Sequence, residues 1–338
     1  MTTAPLISVC IANYNGADVL LPCIESVLQQ QCSATIEIIV HDDASSDDSA
    51  DLLARAHPDV RLIRSSENVG FCVSNNRMVN AANGKYILLL NNDATLRGGA
   101  LQLMLDAAQS GFGGILSVPQ YQAATGQLLD RGCRMDGMLM PIPIGAFDKN
   151  HPITVMGACL WIPKDLWVKI GGFPEWLGSI AEDVFLCLGA WHANAGVNVI
   201  DGSGYDHIVG LSFGGGKAVA GRLSTTTRRR FLSERNRLCV LAVFCPVLLM
   251  PLALSIYICE LIAEGVLVSL LKPDSRFLRE VSLAAIASAW RLRGIVIRER
   301  RRMKALFGAF PVNRWFGLLT FVPQKLRAVW RYGLPDVR

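Results

Sequence analysis

Over the first hundred residues, short apolar runs alternate with stretches whose apolar positions recur every three or four residues. Leu6–Ala12 (LISVCIA), Ile36–Val40 (IEIIV), Val60–Arg64 and Tyr86–Leu90 (YILLL) read as buried strands. Between them, Val19, Leu20, Ile24, Val27 and Leu28 predict a helix over 17–30. Ser46 is placed to cap a helix from near Asp47, whose acids suit the positive helix end. Ser74–Ala82 predicts a third helix. Strands alternating with helices imply an α/β domain with a mostly parallel sheet. Polar clusters follow the strands: Asn13–Gly16 (NYNG), His41–Asp48 (HDDASSDD) and Asn91–Asp93 (NND). The carboxyl edge they occupy is where open α/β sheets bind ligands. Further on, Asp165–Gly171 reads as a short helix closed by glycine, and Ala181–Ala195 as a helix opened by Glu182 and Asp183. Leu211–Gly221 reads as a flexible glycine-rich segment.

The pattern changes after residue 237. Residues 238–271 are apolar apart from Glu260 and Glu264, and 238–259 is 22 residues without a charge. That length can cross a bilayer of about 30 Å. Arginines and lysines lie on both sides, which would put both flanks in the cytosol, and Pro246 and Pro251 break a helix in the middle. A re-entrant or interfacial hairpin is therefore expected, with a buried helix pair as the alternative. Charge divides the same way. Residues 1–227 hold 13 Lys and Arg against 21 Asp and Glu, and residues 228–338 hold 20 against 7. The basic, apolar tail suits an anionic lipid surface. Two regions are expected: 1–237, globular, and 238–338, helical and membrane-associated. Ten cysteines without a CxxC pair read as core residues in a reducing compartment. The first residues have no basic, apolar leader, so the first domain is expected in the cytosol.

Familiar phosphate loops are excluded. Gly214–Lys217 fails the P-loop pattern at both ends, and no GxGxxG follows the first strand. Three acidic sites remain. Asp42-Asp43 ends strand two, where it can accept from a base N–H or simply make a turn. Asp93 ends strand four, where it can help hold a hard divalent cation, or again close a turn. Glu182-Asp183 opens a helix, where an acid is kept ionised and can act as a general base or as a simple cap.

Order and spacing bring these together. SVCIANYNG (8–16), IIVHDDASSDDS (38–49), ENVGFCVSNNRMVNAANGKYILLLNNDATL (67–96), VMGACLWIPKDLWVKIGGFPE (155–175), EDVFLCLGA (182–190) and YDHIVGLS (205–212) resemble the family 2 glycosyltransferases over roughly residues 6–240. ERNRL (234–238) resembles the end of that domain in bacterial polysaccharide-assembly members. The subgroup most like it is the rhamnosyltransferase-like enzymes of polysaccharide and O-antigen synthesis. The resemblance implies the GT-A fold, a Rossmann-like nucleotide-binding mixed sheet, followed here by the helical membrane-associated region.

By the same resemblance, Asp42 and Asp43 sit at the base and ribose of a nucleotide-sugar donor, with Asn13, Asn15, Asn68, Gly70 and Asn76 around them. Asp93 is the acid that holds Mg²⁺ or Mn²⁺ against the diphosphate, beside Asn92 and His207. Asp183, next to Glu182, is the catalytic base, and Met156–Cys159 forms an acceptor-side strand. The implied reaction is inverting transfer from a UDP or dTDP sugar, dTDP-rhamnose among them, to a lipid-linked glycan. Its implied setting is the cytoplasmic face of a bacterial inner membrane, with no nucleic-acid partner. Departures are visible: NND replaces DxD, Phe185 stands in place of a second acid, Gly189 in place of a base, and Pro174-Glu175-Trp176 in place of an FDE-type run. A nucleotidyltransferase of related fold and a non-catalytic membrane scaffold are the alternatives.

Overall fold

The computed structural model describes residues 4–208, 217–219, 222–271, 274–320, 324, 325, 327, 330 and 336–337. Most of the expected glycine-rich segment 211–221 lies outside them. Elements β1 (Ile7–Asn13), α1 (Leu20–Leu28), β2 (Ile36–Asp42), α2 (Ser49–Ala56), β3 (Arg61–Arg64), α3 (Phe71–Ala81) and β4 (Tyr86–Asn91) alternate as the periodicity predicts. There follow β5 (Ala94–Leu96), α4 (Ala100–Gln109), β6 (Ile115–Ser117), β7 (Gln120–Gln122), β8 (Leu128–Asp130), β9 (Cys133–Asp136), β10 (Pro141–Pro143) and β11 (Cys159–Pro163). Next come α5 (Lys164–Ile170), α6 (Glu182–His192), β12 (Val197–Val199) and β13 (Tyr205–His207).

The main sheet has seven strands in the order β12-β6-β11-β4-β1-β2-β3. It is parallel except for β11, which runs antiparallel to β4 and β6. The middle strands β1 and β4 are buried almost throughout. That is why their sequences run apolar without alternation: a parallel strand covered on both faces has no wet side. A second sheet, β5-β13-β7-β8, stands beside the site.

Some element ends differ from the expectation. Helix α2 starts at Ser49, because Asp47 Oδ1 already accepts from Ser49 N (3.2 Å) and Ser49 Oγ (2.5 Å) in the preceding turn. Helix α3 starts at Phe71, three residues early, since Gly70 takes φ +87° and turns the chain straight into it. The acceptor-side strand starts at Cys159; Gly157 and Ala158 form a turn before it.

The chain divides into two compact units, Met1–Cys133 with Pro143–Ile208, and Arg134–Ile142 with Val209–Arg338. The second unit contains β14 (Lys217–Val219), β15 (Arg222–Thr225), α7 (Thr227–Phe244), α8 (Met250–Leu271), a π-helical stretch Phe277–Leu283, α9 (Ala284–Phe307) and α10 (Val312–Leu318). The expected boundary at 237/238 lies inside the continuous helix α7. That helix stops just before Pro246. Pro251, expected to break the apolar run, instead sits in the first turn of α8, where its missing N–H costs nothing. Arg300 on α9 donates to the carbonyls of Ala242 (2.8 Å) and Val243 (3.1 Å), closing the end of α7.

Helix α8 is two-sided. Tyr257, Leu261, Gly265 and Val268 form its buried stripe. A β-carbon on Gly265 would come within 2.6 Å of Ser282 Oγ, so glycine there permits the close approach of the π-helical stretch. Glu264 pairs with Arg230 (2.5 Å) and Lys325 (2.9 Å) along the same side. Leu252, Ile256, Val266, Leu267 and Leu270 are exposed. Among the described residues, α8 is the one helix long and apolar enough to cross a membrane.

Candidate active site

The carboxyl ends of three neighbouring strands are in register. Asn13 of β1 faces Asp42 of β2, and Ala12 faces Asn91 of β4. Register therefore brings together residues up to 79 positions apart, and side chains then join them. Asn92 Nδ2 donates to Asn13 Oδ1 (2.9 Å). Asn13 Nδ2 donates to Asp42 Oδ1 (2.9 Å) and Ser49 Oγ (2.9 Å). Asp42 also accepts from Ser45 Oγ at 2.6 Å. Asn13, Asp42 and Asn92 are all buried. Asn15 sits on the adjoining loop at φ +50°, accepting from Ser46 N at 2.8 Å. In this structure Asn13 and Asn92 hold the loop framework together, and Asp42 is bound into it.

Asp43 does a similar thing one residue on. Its carboxylate accepts from Val69 N (2.7 Å) and Gly70 N (2.8 Å), which fixes the loop before α3. Asn68 lies on that loop and is exposed. Asn76 is engaged elsewhere: it donates to Phe173 O (2.9 Å) and accepts from Phe173 N (3.0 Å), so it clamps the 171–174 turn.

Asp93 is buried beside β13. His207 Nε2 lies 3.1 Å from Asp93 Oδ1, and Ile208 N donates to Asp93 O at 3.0 Å. His207 Nδ1 lies 2.9 Å from Gln120 Nε2, and Tyr205 Oη donates to Gln120 Oε1 at 2.9 Å. A cavity of about 130 Å³ opens beside Asp93, with Asp18 and Asp206 also in its wall. Arg97 already neutralises Asp206 through two hydrogen bonds, 2.7 and 3.1 Å. Among the described residues no three His, Cys, Asp or Glu side chains converge as a metal cage. A buried carboxylate with one oxygen free of hydrogen bonds other than the imidazole contact fits a cation that keeps several waters and takes further oxygens from a diphosphate.

The second acidic centre is reached through the 157–158 turn. Asn91 N donates to Ala158 O (2.9 Å), and Gly157 N donates to Asp183 Oδ2 (3.2 Å). Asp183 also accepts from Val184 N at 2.7 Å. Glu182 beside it is buried. Both open α6, and the two residues before them, Ile180 (φ +71°) and Ala181 (φ +68°), are left-handed without being glycine. Strain of that kind persists where surrounding contacts over-determine the backbone. The departures in α6 have packing causes. Phe185 is fully buried, and a β-carbon on Gly189 would come within 2.8 Å of Ile170 Cγ2 on α5. The helix is sunk too deep at these positions for an acid or a base.

Two residues of this region, Gln120 and Asp130, carry no sequence signal of their own, and Tyr205 opens a matching stretch without a role assigned to it. The only other trace is alternation within short strands, which marks them as sharing a face. Asp130 is buried, and burial pushes its carboxyl up to about 6, opposed by the Gly132 N–H and by His207. A raised acid means that ionisation costs the folded state. Its stability is therefore full at low pH and declines as pH rises from about 4 to about 6. Asp130→Asn keeps an acceptor for Gly132 and removes the charge. It is expected to raise stability at pH 8 by about 1–3 kcal/mol, read by denaturant unfolding; a loss of stability there would refute this account.

Comparisons with known proteins bear on the family and the fold. Residues 8–157 match the family model described as glycosyl transferase family 2. The succinoglycan biosynthesis protein ExoO of Rhizobium meliloti is 36% identical over 107 residues, 31% of this chain and 30% of that protein. An Escherichia coli protein named UDP-Glc:alpha-D-GlcNAc-diphosphoundecaprenol beta-1,3-glucosyltransferase WfaP is 37% identical over 90 residues, 26% of this chain and 35% of that one. The chain thus matches about a third of the length of these relatives. In fold, it resembles GalNAc-T7, solved with UDP, GalNAc and Mn²⁺, at a TM-score of 0.63 and 14% identity, covering 99% of this chain and 59% of that one.

Proposed function

Residues 8–157 of this chain belong to glycosyl transferase family 2 and carry its GT-A fold, and from that premise we propose that the protein is an inverting glycosyltransferase. It moves a hexose or deoxyhexose, rhamnose among them, from a UDP or dTDP donor to a hydroxyl of a lipid-linked glycan in bacterial cell-surface polysaccharide synthesis. The observation that carries this reading is the pair of hydrogen bonds through the 157–158 turn, which ties the strand end bearing Asp93 to Asp183. One edge then presents an acid for the donor's diphosphate and an acid for the acceptor's hydroxyl. The names of ExoO and WfaP support the polysaccharide setting, and WfaP's name supports a UDP donor and a polyprenyl-linked acceptor.

Asp183 takes the proton from the acceptor hydroxyl as that oxygen attacks the anomeric carbon from the face opposite the leaving group. A single displacement inverts the centre, so no enzyme nucleophile is needed. Asp42 and Asp43 shape the base and ribose pocket, partly by ordering the loops that carry Asn15, Asn68 and Gly70. A divalent cation, Mg²⁺ or Mn²⁺, held by Asp93 would offset the charge growing on the leaving nucleoside diphosphate. Calorimetry with UDP or dTDP in the presence of Mn²⁺ is expected to show binding, weakened at least about tenfold in Asp93→Ala. No binding of either nucleotide would favour a non-catalytic scaffold.

The second unit is read as the membrane contact, on the cytoplasmic face. Its basic excess and the exposed stripe of α8 suit an anionic leaflet. Glu260 and Glu264, in the middle of α8, lie near Lys325, and Glu264 also pairs with Arg230. Charges at that position favour a helix lying in the interface over one running through the hydrocarbon. The full chain is expected to sediment with vesicles containing anionic lipid, less so at 0.5 M salt, and less so again with Leu252→Glu and Leu270→Glu together. Equal sedimentation of the wild type and this variant would remove α8 as the contact.

A further inference from the structure

Residues 179–181 join two fixed ends. The near end is seated on α3. Asn76 donates to Phe173 O (2.9 Å) and accepts from Phe173 N (3.0 Å), and Cys72 N donates to Gly178 O at 3.2 Å. Between these bonds Glu175–Leu177 closes a 3₁₀ turn, with Leu177 fully buried. The far end is α6. Phe185 N donates to Ala181 O at 3.0 Å, and Phe185 itself is fully buried. Only Ser179, Ile180 and Ala181 are left to turn the chain from one end to the other. Ile180 (φ +71°) and Ala181 (φ +68°) do so in the left-handed region.

Successive positive-φ positions in a turn are ordinarily filled by Asn or Gly. A β-branched residue there is an outlier, because its side chain crowds the backbone. Backbone strain alone makes isoleucine and alanine poor choices for this turn. What they add is confinement. With a β-carbon the left-handed region is one small well, so the peptide leaving Ala181 points one way. Glycine takes positive and negative φ about equally, and the start of α6 would swing with it. Asp183 is two residues on. Its Oδ2 accepts from Gly157 N at 3.2 Å and its Oδ1 from Val184 N at 2.7 Å, so its carboxylate has a set position to lose.

We propose that Ile180 and Ala181 are positioning residues: held left-handed between the seat on α3 and the buried start of α6, they aim the Asp183 carboxylate at the 157–158 turn. This rests on the reading of Asp183 as the base only for its effect on rate; the placement of the carboxylate needs no substrate.

The test follows one amide in the full chain without ligand. Met156-Gly157 is the one Met-Gly step in the sequence, so ¹³C-carbonyl methionine with ¹⁵N-glycine singles out the Gly157 N–H. Its hydrogen exchange reports the bond to Asp183, and Asp183→Ala gives the rate with that bond absent. The wild-type amide is expected to exchange at least about tenfold more slowly than in Asp183→Ala. Ala181→Gly, which removes one methyl group, and Ile180→Gly are each expected to speed it at least about tenfold. The denaturant midpoint is not expected to fall, because relief of the left-handed strain offsets the freer unfolded chain. Ile180→Asn, which tolerates the left-handed region, is expected to bring the exchange back close to the wild-type rate. With UDP-glucose as probe donor and water as acceptor, UDP release is expected to slow by up to about 100-fold in both glycine variants, the effect of a base misplaced by ~1 Å. Affinity for UDP, read by calorimetry, is expected to stay as in the wild type. Wild-type exchange at Gly157 in both glycine variants, or no difference between the wild type and Asp183→Ala, overturns the proposal. A fall in the midpoint with faster exchange throughout the main sheet also overturns it, since the turn would then serve the fold alone. Wild-type UDP release in Asp183→Asn overturns the base reading instead, and the Gly157 amide still decides the placement.

Discussion

Asp183→Asn is expected to lower kcat by about 10²- to 10⁴-fold, the usual contribution of a positioned general base, while nucleotide binding stays within a few-fold of the wild type. The substitution keeps the shape and one acceptor oxygen, which can keep the bond from Gly157 N and the turn it supports. It removes the capacity to take a proton and, because the other oxygen becomes an NH₂, the bond from the adjacent Val184 N. The donor contacts proposed at Asp42, Asp43 and Asp93 lie on other strand ends and should not notice. Calorimetry with UDP and single-turnover transfer separate the two effects. A variant that turns over at the wild-type rate would remove Asp183 as the base. A variant that loses nucleotide binding together with rate would show that the 157–158 turn, and not proton transfer, was the casualty.

The second large effect is one of stability. Glu234→Ala is expected to destabilise the second unit by about 3–5 kcal/mol, the cost of removing one partner from a buried ionic cluster. Glu234 is fully buried on α7. Its Oε1 lies 2.8 Å from Arg237, 3.0 Å from Arg230 and 3.2 Å from Lys325, and Tyr257 Oη donates to its Oε2 at 2.8 Å. Truncating the acid leaves the buried Arg237 without its carboxylate, while Arg230 and Lys325 keep Glu264. Tyr257→Phe removes one hydrogen bond and is expected to cost only about 1 kcal/mol. Burial alone would raise the Glu234 carboxyl, but Arg237, Arg230 and Lys325 outweigh it and hold the group far below its ordinary 4.5. With a depressed folded-state value, the contribution is complete above pH 4.5 and is lost progressively as pH falls below it. Denaturant unfolding of the purified chain, followed by helical signal at pH 7 and pH 3, reads both statements. A Glu234→Ala loss below about 1 kcal/mol would mean that the cluster relaxes or takes up water when cut.

The cluster also shows the limit of reading along the chain. ERNRL is visible as a run in which an acid precedes two arginines, and on a helix Glu234 and Arg237 are three apart, so a local pair can be foreseen. Lys325 and Tyr257 cannot, since nothing near either one in sequence points to α7. The same division runs through the site. Asp93 and Asp183 were identifiable because each sits where local rules send polar residues, at a strand end and at a helix start. Gln120, Tyr205 and Asp130 were not, because their surroundings come from cross-strand pairs more than 80 positions apart for Gln120 and Tyr205. Asn76 looked like a pocket residue and is a clamp on Phe173. The reason is again distant: the 171–174 turn meets α3 only once the sheet is assembled.

By itself, then, the sequence determined what depends on neighbours. Continuous apolar runs such as YILLL required strands covered on both faces. Three- and four-residue spacing required helices between them, and the polar turns had to fall at the carboxyl ends, because no apolar strand tolerates them inside. Only the tertiary structure decided which strand ends lie side by side. It also decided that Asn13 and Asn92 would be spent on joining them, and that α6 would be sunk too deep for a charge at 185 or 189. Those outcomes depend on register and burial, which arise from pairing across the whole chain and leave no periodic mark in any one segment.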